Sequence, residues 1–229
     1  MKLSTLSLVI PCYNDAATIA KAISEARELG QTAAGAYEIL VANDASSDES
    51  GAILEALAAK NKDLQIITHP RNVGYGATIW ELYYAARREW LFSIPGDFQI
   101  GARELLKLIP ESDKADMIVG WRVDRQDPAA RLRQSKIYNT LLRLLFGLTL
   151  HDVNSVRLLR TSVLKNITLT STSAFVDAEL TIRMKRLGLT VAEVAIDHRG
   201  EVGDAGGGGS LATILPTIAD MLRFWLLGS

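Results

Sequence analysis

The sequence predicts an α/β fold with a mostly parallel central sheet and helices on both faces. Three observations predict it. Short apolar runs of strand length alternate with longer amphipathic runs of helix length through the first half of the chain. The apolar runs are continuous rather than alternating, as strands buried on both faces are. Polar and glycine-containing clusters recur at the carboxyl ends of these runs, where open parallel sheets bind ligands.

Each element has its own signal. Leu6 to Ile10 is an apolar run stopped by Pro11 and reads as a buried strand. Asp15 to Leu29 reads as a helix, with Asn14 or Asp15 as N-cap and Gly30 as its stop. Tyr37 to Ala42 is the second strand, after which Ser47 or Asp48 caps a helix running to about Lys60. Leu64 to Thr68 is the third strand and Ala77 to Arg88 the third helix. Trp90 to Ile94 gives a fourth strand, Arg103 to Leu108 a short helix and Asp116 to Gly120 a fifth strand. This βα order implies right-handed crossovers and parallel pairing.

Beyond Gly120 the alternation loosens. A polar segment from Arg122 to Asp127 leads through Pro128 into a helix from about Ala129 to Phe146. A strand near Val156 to Leu159, a helix from Phe175 to Leu187 and a strand from Thr190 to Ile196 follow. Gly203 to Ser210 reads as a loop by composition, and Leu211 to Leu227 as an apolar helix. The division is therefore a ligand-binding domain over 1–203 and, over 204–229, a Gly-rich loop with a C-terminal amphipathic helix.

Composition narrows the functional classes. The chain has 229 residues, with 25 basic against 26 acidic side chains. That balance gives no general field for a polyanion, so no nucleic-acid partner is expected. The single Cys12 cannot form an internal disulfide, which fits a reducing compartment. Leu6 to Ile10 is too short for a signal peptide, and no run reaches the roughly 18 apolar residues of a membrane span. Leu211 to Leu227 is broken by Thr213, Pro216, Thr217 and Asp220, while Arg223 and Trp225 suit a membrane interface. Two readings stand for it: a helix packed on the domain, or a juxtamembrane helix lying on a lipid surface.

Four polar clusters fall at strand ends in chain order: Pro11 to Asn14, Asn43 to Asp48, Arg71 to Gly76, and Asp97-x-Gln99. Taken singly, each is equally a turn or a helix cap. Glycines let backbone N–H groups approach a ligand closely, and an Asp-x-Gln pair supplies oxygens to a hard cation such as Mg²⁺ or Mn²⁺. Together they suggest a nucleotide diphosphate and its metal at the sheet edge.

These segments, Val9 to Asp15, Asn43 to Asp48, Arg71 to Ala77 and Pro95 to Gln99, resemble the family 2 glycosyltransferases of the GT-A fold. The resemblance is to the branch of polyprenyl-phosphate sugar transferases, such as dolichol-phosphate mannosyltransferase. It continues through Ser135 to Asn139, Phe146-Gly147, Asp152 to Ser155, Asp177 to Glu179 and His198-Arg199. It implies a GT-A nucleotide-sugar transferase domain over 1–203. It also implies that Asp44 reads the base, that Pro11, Tyr13 and Asn14 wall the base and ribose, and that Arg71 and Gly76 lie over the nucleotide. Asp97 and Gln99 are implied as ligands of Mg²⁺ or Mn²⁺, Arg199 as a grip on the diphosphate, and Asp152 and Glu179 as contacts near the sugar.

The chain departs from the family pattern in three places. Pro95 stands where the usual Asp-x-Asp-x-Gln has its first carboxylate, which weakens the expected metal site. It does not remove the site, because Mg²⁺ commonly takes one or two protein carboxylates with phosphates and water. Asn43 replaces the first Asp of the usual pair. The segment Asn154 to Arg157 is one residue shorter than its counterpart.

The acceptor is read from Arg122, Arg125, Arg131, Arg133 and Lys136. Without a family context this is a solvated charged loop balanced by Asp124 and Asp127. The resemblance implies that Arg122, Arg131 and Ser135 bind the phosphate of a polyprenyl (dolichyl or undecaprenyl) acceptor. A phosphate monoester is mostly dianionic near neutral pH, its second pKa being about 6. It needs no general base, so catalysis rests on positioning and leaving-group stabilisation, with Asp97 and Arg131 as the catalytic pair.

The expected activity is thus inverting, metal-assisted transfer of a hexose from a GDP- or UDP-sugar, peripherally on the cytoplasmic face of a membrane and serving the cell envelope. A saccharide acceptor is the first alternative, and it would require a base. A catalytically silent nucleotide-sugar-binding protein is the second, and Pro95 is its support.

Overall fold

The computed structural model describes residues 2–125, 127–199 and 211–228. Within it β1 (Leu3–Cys12), α1 (Ile19–Ala33), β2 (Ala34–Asn43), α2 (Ser50–Ala58), β3 (Leu64–Thr68), α3 (Tyr75–Ala85) and β4 (Trp90–Ser93) form a regular βα run. Then come α4 (Leu105–Leu108) between two 3₁₀ turns, β5 (Met117–Arg122), α5 (Ala129–Phe146) and β6 (Arg157–Arg160). A 3₁₀ stretch (Thr161–Asn166), α6 (Val176–Arg186), β7 (Val191–Ile196) and α7 (Leu211–Leu227) complete it.

The seven strands lie in the order β3-β2-β1-β4-β6-β5-β7. Strands β1 to β4 pair in parallel, as do β5 and β7. Only β6 runs antiparallel, against both β4 and β5. Inserted between them, it leaves β4 and β5 running the same way, so their carboxyl ends share one edge with those of β1 to β3. This edge carries the four polar clusters and the start of the Arg122 segment.

Side-chain alternation along β1 feeds both faces. Leu8 and Ile10 join Ile23, Ile39, Phe92 and Leu105 on one side, while Val9 joins Leu40, Ile79, Leu91 and Leu180 on the other. A third cluster joins α5, α6 and α7 through Leu142, Phe175, Met221 and Phe224. The Phe175 and Phe224 rings meet edge to face at 5.5 Å, a geometry favoured by the ring quadrupoles.

Three local expectations are corrected. Gly30 does not stop α1, which continues to Ala33; a Cβ at Gly30 would lie 2.5 Å from the Tyr37 ring, so its smallness serves close packing. The helix begins at Ile19 rather than Asp15, because the Asp15 carbonyl accepts the Thr18 and Ile19 N–H groups at 2.9 and 2.8 Å. The second helix begins at Ser50, whose N–H donates to Asp48 Oδ1 at 2.9 Å, so Asp48 satisfies a first-turn donor from just outside the helix.

Helix α7 is docked on the body. Met221 and Phe224 are buried, and Asp220 Oδ2 accepts the Ser173 N–H at 3.1 Å and its hydroxyl at 2.7 Å. Its opposite side leaves Leu215, Leu222, Trp225, Leu226 and Leu227 exposed. Among the described residues no helix is long and apolar enough to cross a membrane. The loop expected over Gly203 to Ser210, and with it the boundary after residue 203, lies outside the described residues.

Candidate active site

The loops after β1 and β2 are stitched together by short-range chemistry. The Asn14 N–H donates to Ser46 Oγ at 3.0 Å, and Asn14 Oδ1 accepts the Ser47 N–H at 2.8 Å. The Asp15 N–H donates to Ser50 Oγ at 2.9 Å and the Ala16 N–H to Asp48 Oδ2 at 3.0 Å. Pro11 is half-buried, while Tyr13 and Asn14 are exposed at the rim. All non-glycine residues with positive φ among those described, Asn14, Ala45, Phe98 and Asp124, fall in loops at this edge. Such residues cost on the order of 1–3 kcal/mol each and cluster where structure serves a site.

Asp44 is buried, and its carboxylate is fully used. Oδ1 accepts the Val73 N–H at 2.8 Å and meets His69 Nδ1 at 2.8 Å; Oδ2 accepts the Gly74 N–H at 2.9 Å. Gly74 has φ +89°, which only glycine takes without strain. Gly76 is buried and donates its N–H to the Thr172 carbonyl at 3.0 Å; a Cβ there would collide with the Thr172–Ser173 backbone. Arg71 projects into solvent. The loop after β3 is therefore shaped from beneath by Asp44.

Asp97 Oδ1 accepts the Gln99 N–H at 3.0 Å, and Gln99 is buried. Burial pushes the Asp97 carboxyl up, against the pull of that N–H and of the Arg131, Arg122 and His198 charges. Asp15 reaches the same place from β1: its Oδ2 crowds Gly96, and burial followed by the Asp97 and Asp48 charges drives its pKa to about 6, against the Tyr13 N–H. A carboxyl whose charged form burial disfavours gains from a neighbouring cation, which favours that charged form. Among the described residues no three His, Cys, Asp or Glu side chains form a ready cage. The donor set of Asp97 with Gln99 nevertheless fits a hard ion that takes its remaining ligands from phosphates and water.

The cationic segment folds back onto Asp97. Arg122 is clamped on the buried Asp152 by two bonds, 2.6 and 2.8 Å. Asp127 is shared by Arg125 at 2.7 Å and Arg131 at 3.2 Å, so two guanidiniums lean on one carboxylate. Arg125 also donates to Ser135 Oγ at 2.9 Å. Arg122, Arg125 and Arg131 all act on His198, whose pKa burial lowers. Arg199 lies over the Phe98 ring at 4.2 Å, donates its backbone N–H to the Gln99 carbonyl at 2.8 Å and pairs with Glu25 at 3.1 Å. Its Nη1 has no hydrogen-bond partner among the described residues.

Glu179 is placed differently from the expectation of a sugar contact. It is fully buried, and its oxygens accept the Thr170 and Ser171 N–H groups at 3.0 and 2.8 Å and the Arg183 guanidinium at 2.8 Å. That arrangement fixes the loop before α6 rather than presenting a carboxylate to a ligand. Asp152 is likewise committed to Arg122.

Some groups carried no strong sequence signal. His69, just after β3, is too isolated in the sequence to suggest a metal site. Asp127 read as a neutralising residue of a charged loop, and its role as the shared anchor of two arginines needs the tertiary fold. Arg157 and Asp177, fully buried and 3.0 Å apart, are distant in sequence.

A model of the family described as glycosyl transferase family 2 matches residues 7–168. Glycosyltransferase AglD of Haloferax volcanii is 29% identical over 209 residues, 84% of this chain and 32% of that protein. The undecaprenyl-phosphate 4-deoxy-4-formamido-L-arabinose transferase of Sodalis glossinidius is 29% identical over 154 residues, 66% of this chain and 47% of that protein. The chain thus spans less than half the length of either relative. Among solved structures, glucosyl-3-phosphoglycerate synthase from Mycobacterium tuberculosis with Mn²⁺, UDP-glucose and phosphoglyceric acid aligns with TM-score 0.76 at 18% identity, over 97% of this chain and 80% of that one. The same enzyme with Mn²⁺, UDP and glucosyl-3-phosphoglycerate gives 0.72 at 18% identity, over 98% and 79%. At this identity the likeness establishes the fold, which is GT-A.

Proposed function

The chain belongs to glycosyl transferase family 2, and from that premise we propose that it is an inverting hexosyltransferase acting from a nucleotide diphosphate sugar onto a polyprenyl phosphate. The observation that carries the reading is the meeting of Asp97 with the Arg122 and Arg131 charges at the carboxyl edge of the sheet. Donor diphosphate and acceptor phosphate are both anions, and a site for both needs cations on two sides of the reacting carbon.

On the donor side, Tyr13 and Asn14 wall the nucleoside, and Arg71 and the Asp44-shaped loop lie over it. Arg199, whose Nη1 has no hydrogen-bond partner among the described residues, grips the diphosphate. A divalent cation, Mg²⁺ or Mn²⁺, when bound by Asp97 and Gln99, supplies neutralisation of the charge that builds on the departing nucleoside diphosphate. On the acceptor side, Arg131 and Arg122 with Ser135 orient the phosphate for in-line attack. Two arginines share Asp127, so an arriving phosphate meets excess positive charge. A hydroxyl acceptor would need a base, and Asp127 in the acceptor segment and Asp152 packed against it are both locked on arginines. The exposed apolar side of α7 is proposed to rest on the cytoplasmic face of a membrane, where such a lipid resides. The similarity to an undecaprenyl-phosphate 4-deoxy-4-formamido-L-arabinose transferase supports this choice of acceptor.

Arg131→Gln tests the acceptor assignment. The KM for a short polyprenyl phosphate is expected to rise about tenfold, the worth of one charge-assisted hydrogen bond. The affinity for the nucleotide sugar, measured by calorimetry, stays unchanged. Equal loss of both affinities would place Arg131 on the donor side instead.

A further inference from the structure

We infer that His69 is a positioning residue: doubly hydrogen-bonded between Asp44 and Glu81, it locks the loop over the nucleotide in its binding shape. The inference rests on the nucleotide site proposed above and deepens it. His69 directly follows β3, and its N–H donates to the Asn43 carbonyl at 3.0 Å, which fixes the backbone. The ring is buried. Nδ1 lies 2.8 Å from Asp44 Oδ1, and Nε2 lies 2.6 Å from Glu81 Oε2.

A neutral imidazole carries one N–H, so it cannot donate to two carboxylates. Both contacts are satisfied together only by the imidazolium. Burial pulls the His69 pKa down, but the hydrogen bonds and charges of Asp44 and Glu81 outweigh it and leave the group above the ordinary histidine value. These two carboxylates, one from the end of β2 and one from α3, are the charged groups that face the ring.

Asp44 passes this constraint on. The same carboxylate holds the Val73 and Gly74 N–H groups, and its carbonyl accepts Asn72 Nδ2 at 3.3 Å. Glu81, His69, Asp44 and the loop therefore form one chain. It begins at a carboxylate 41% exposed on α3 and ends at the strand edge. Loss of the ring charge removes one of the two bonds and frees Asp44 to re-aim the loop. Because the folded-state pKa is raised, the bridge is complete below the ordinary histidine value. It is lost as pH rises through the raised one.

The test follows the His69 ring and the Val73 and Gly74 amides of the full chain by NMR. UDP and GDP binding is measured by calorimetry below and above the ring transition. His69 is expected to titrate above His198, and Glu81→Gln to bring it down. The two amides shift along the same titration, and nucleotide affinity falls about tenfold across it. His69→Gln binds weakly on both sides of the transition, with unchanged dependence on acceptor concentration. Titration of His69 at or below the ordinary value, or loop amides that ignore it, overturns the inference. Amides that follow the ring with no nucleotide bound at any pH support the clamp and overturn the nucleotide-site reading instead.

Discussion

Asp97→Asn is expected to lower kcat/KM for sugar transfer by at least about a hundredfold, the scale of losing one electrostatic stabiliser of a transition state. The loss appears in kcat and in Mn²⁺ affinity, with the fold intact. Asn keeps the acceptor that Gln99 N–H uses, and it removes a carboxylate that burial already disfavours. The thermal midpoint therefore does not fall. The companion variant Pro95→Asp restores a carboxylate to the position where the family pattern has one, and it is expected to tighten Mn²⁺ binding. Calorimetric titration with Mn²⁺ and UDP, beside steady-state kinetics, checks both. An Asp97→Asn enzyme with normal turnover would remove this carboxylate from the chemistry.

The largest effect on stability is expected from Arg157→Met. Arg157 is fully buried, pairs with Asp177 at 3.0 Å and donates to the Val153, Ser155 and Asp177 carbonyls at 3.0, 3.0 and 3.3 Å. Tyr75 donates its hydroxyl to the same Asp177 at 3.2 Å, so the group ties β6, α6 and the start of α3. Burial raises the Asp177 carboxyl and the Arg157 charge is the main one opposing it, so removing Arg157 leaves a desolvated carboxylate without its paired counter-charge. Breaking such a pair from one side costs about 3–5 kcal/mol. Removing both charges in Arg157→Met/Asp177→Asn restores part of it, because the orphaned charge is gone. Urea denaturation of the single and double variants reads this directly. A double variant less stable than Arg157→Met would show that the pair is not the unit.

The order and kind of elements were legible because hydrophobic period is local. The strand run of Leu64 to Thr68 and the helix of Ala129 to Phe146 coincide with β3 and α5 to the residue. Gly30 misled because a glycine in a helix also serves a neighbour, here the Tyr37 ring, and that neighbour is set by the turn into β2. The direction of β6 was not legible, since antiparallel insertion is decided by which strands flank it. At the site, positions were readable and partners were not. Asp44, Asp97 and Arg122 stand at strand ends that apolar runs define. That Asp44 is spent on the loop below Gly74, that Glu179 is buried under Thr170, and that Asp127 serves two arginines depend on contacts no spacing encodes.

The chemistry proposed for this chain is transfer from a nucleotide sugar to a lipid phosphate. It is tested by nucleoside diphosphate release from UDP- and GDP-hexoses with Mg²⁺ or Mn²⁺, with and without a short polyprenyl phosphate, and with a saccharide in its place. Release stimulated by the polyprenyl phosphate is expected, with the sugar recovered on the lipid. Release stimulated only by the saccharide, or no release under any condition, would contradict it.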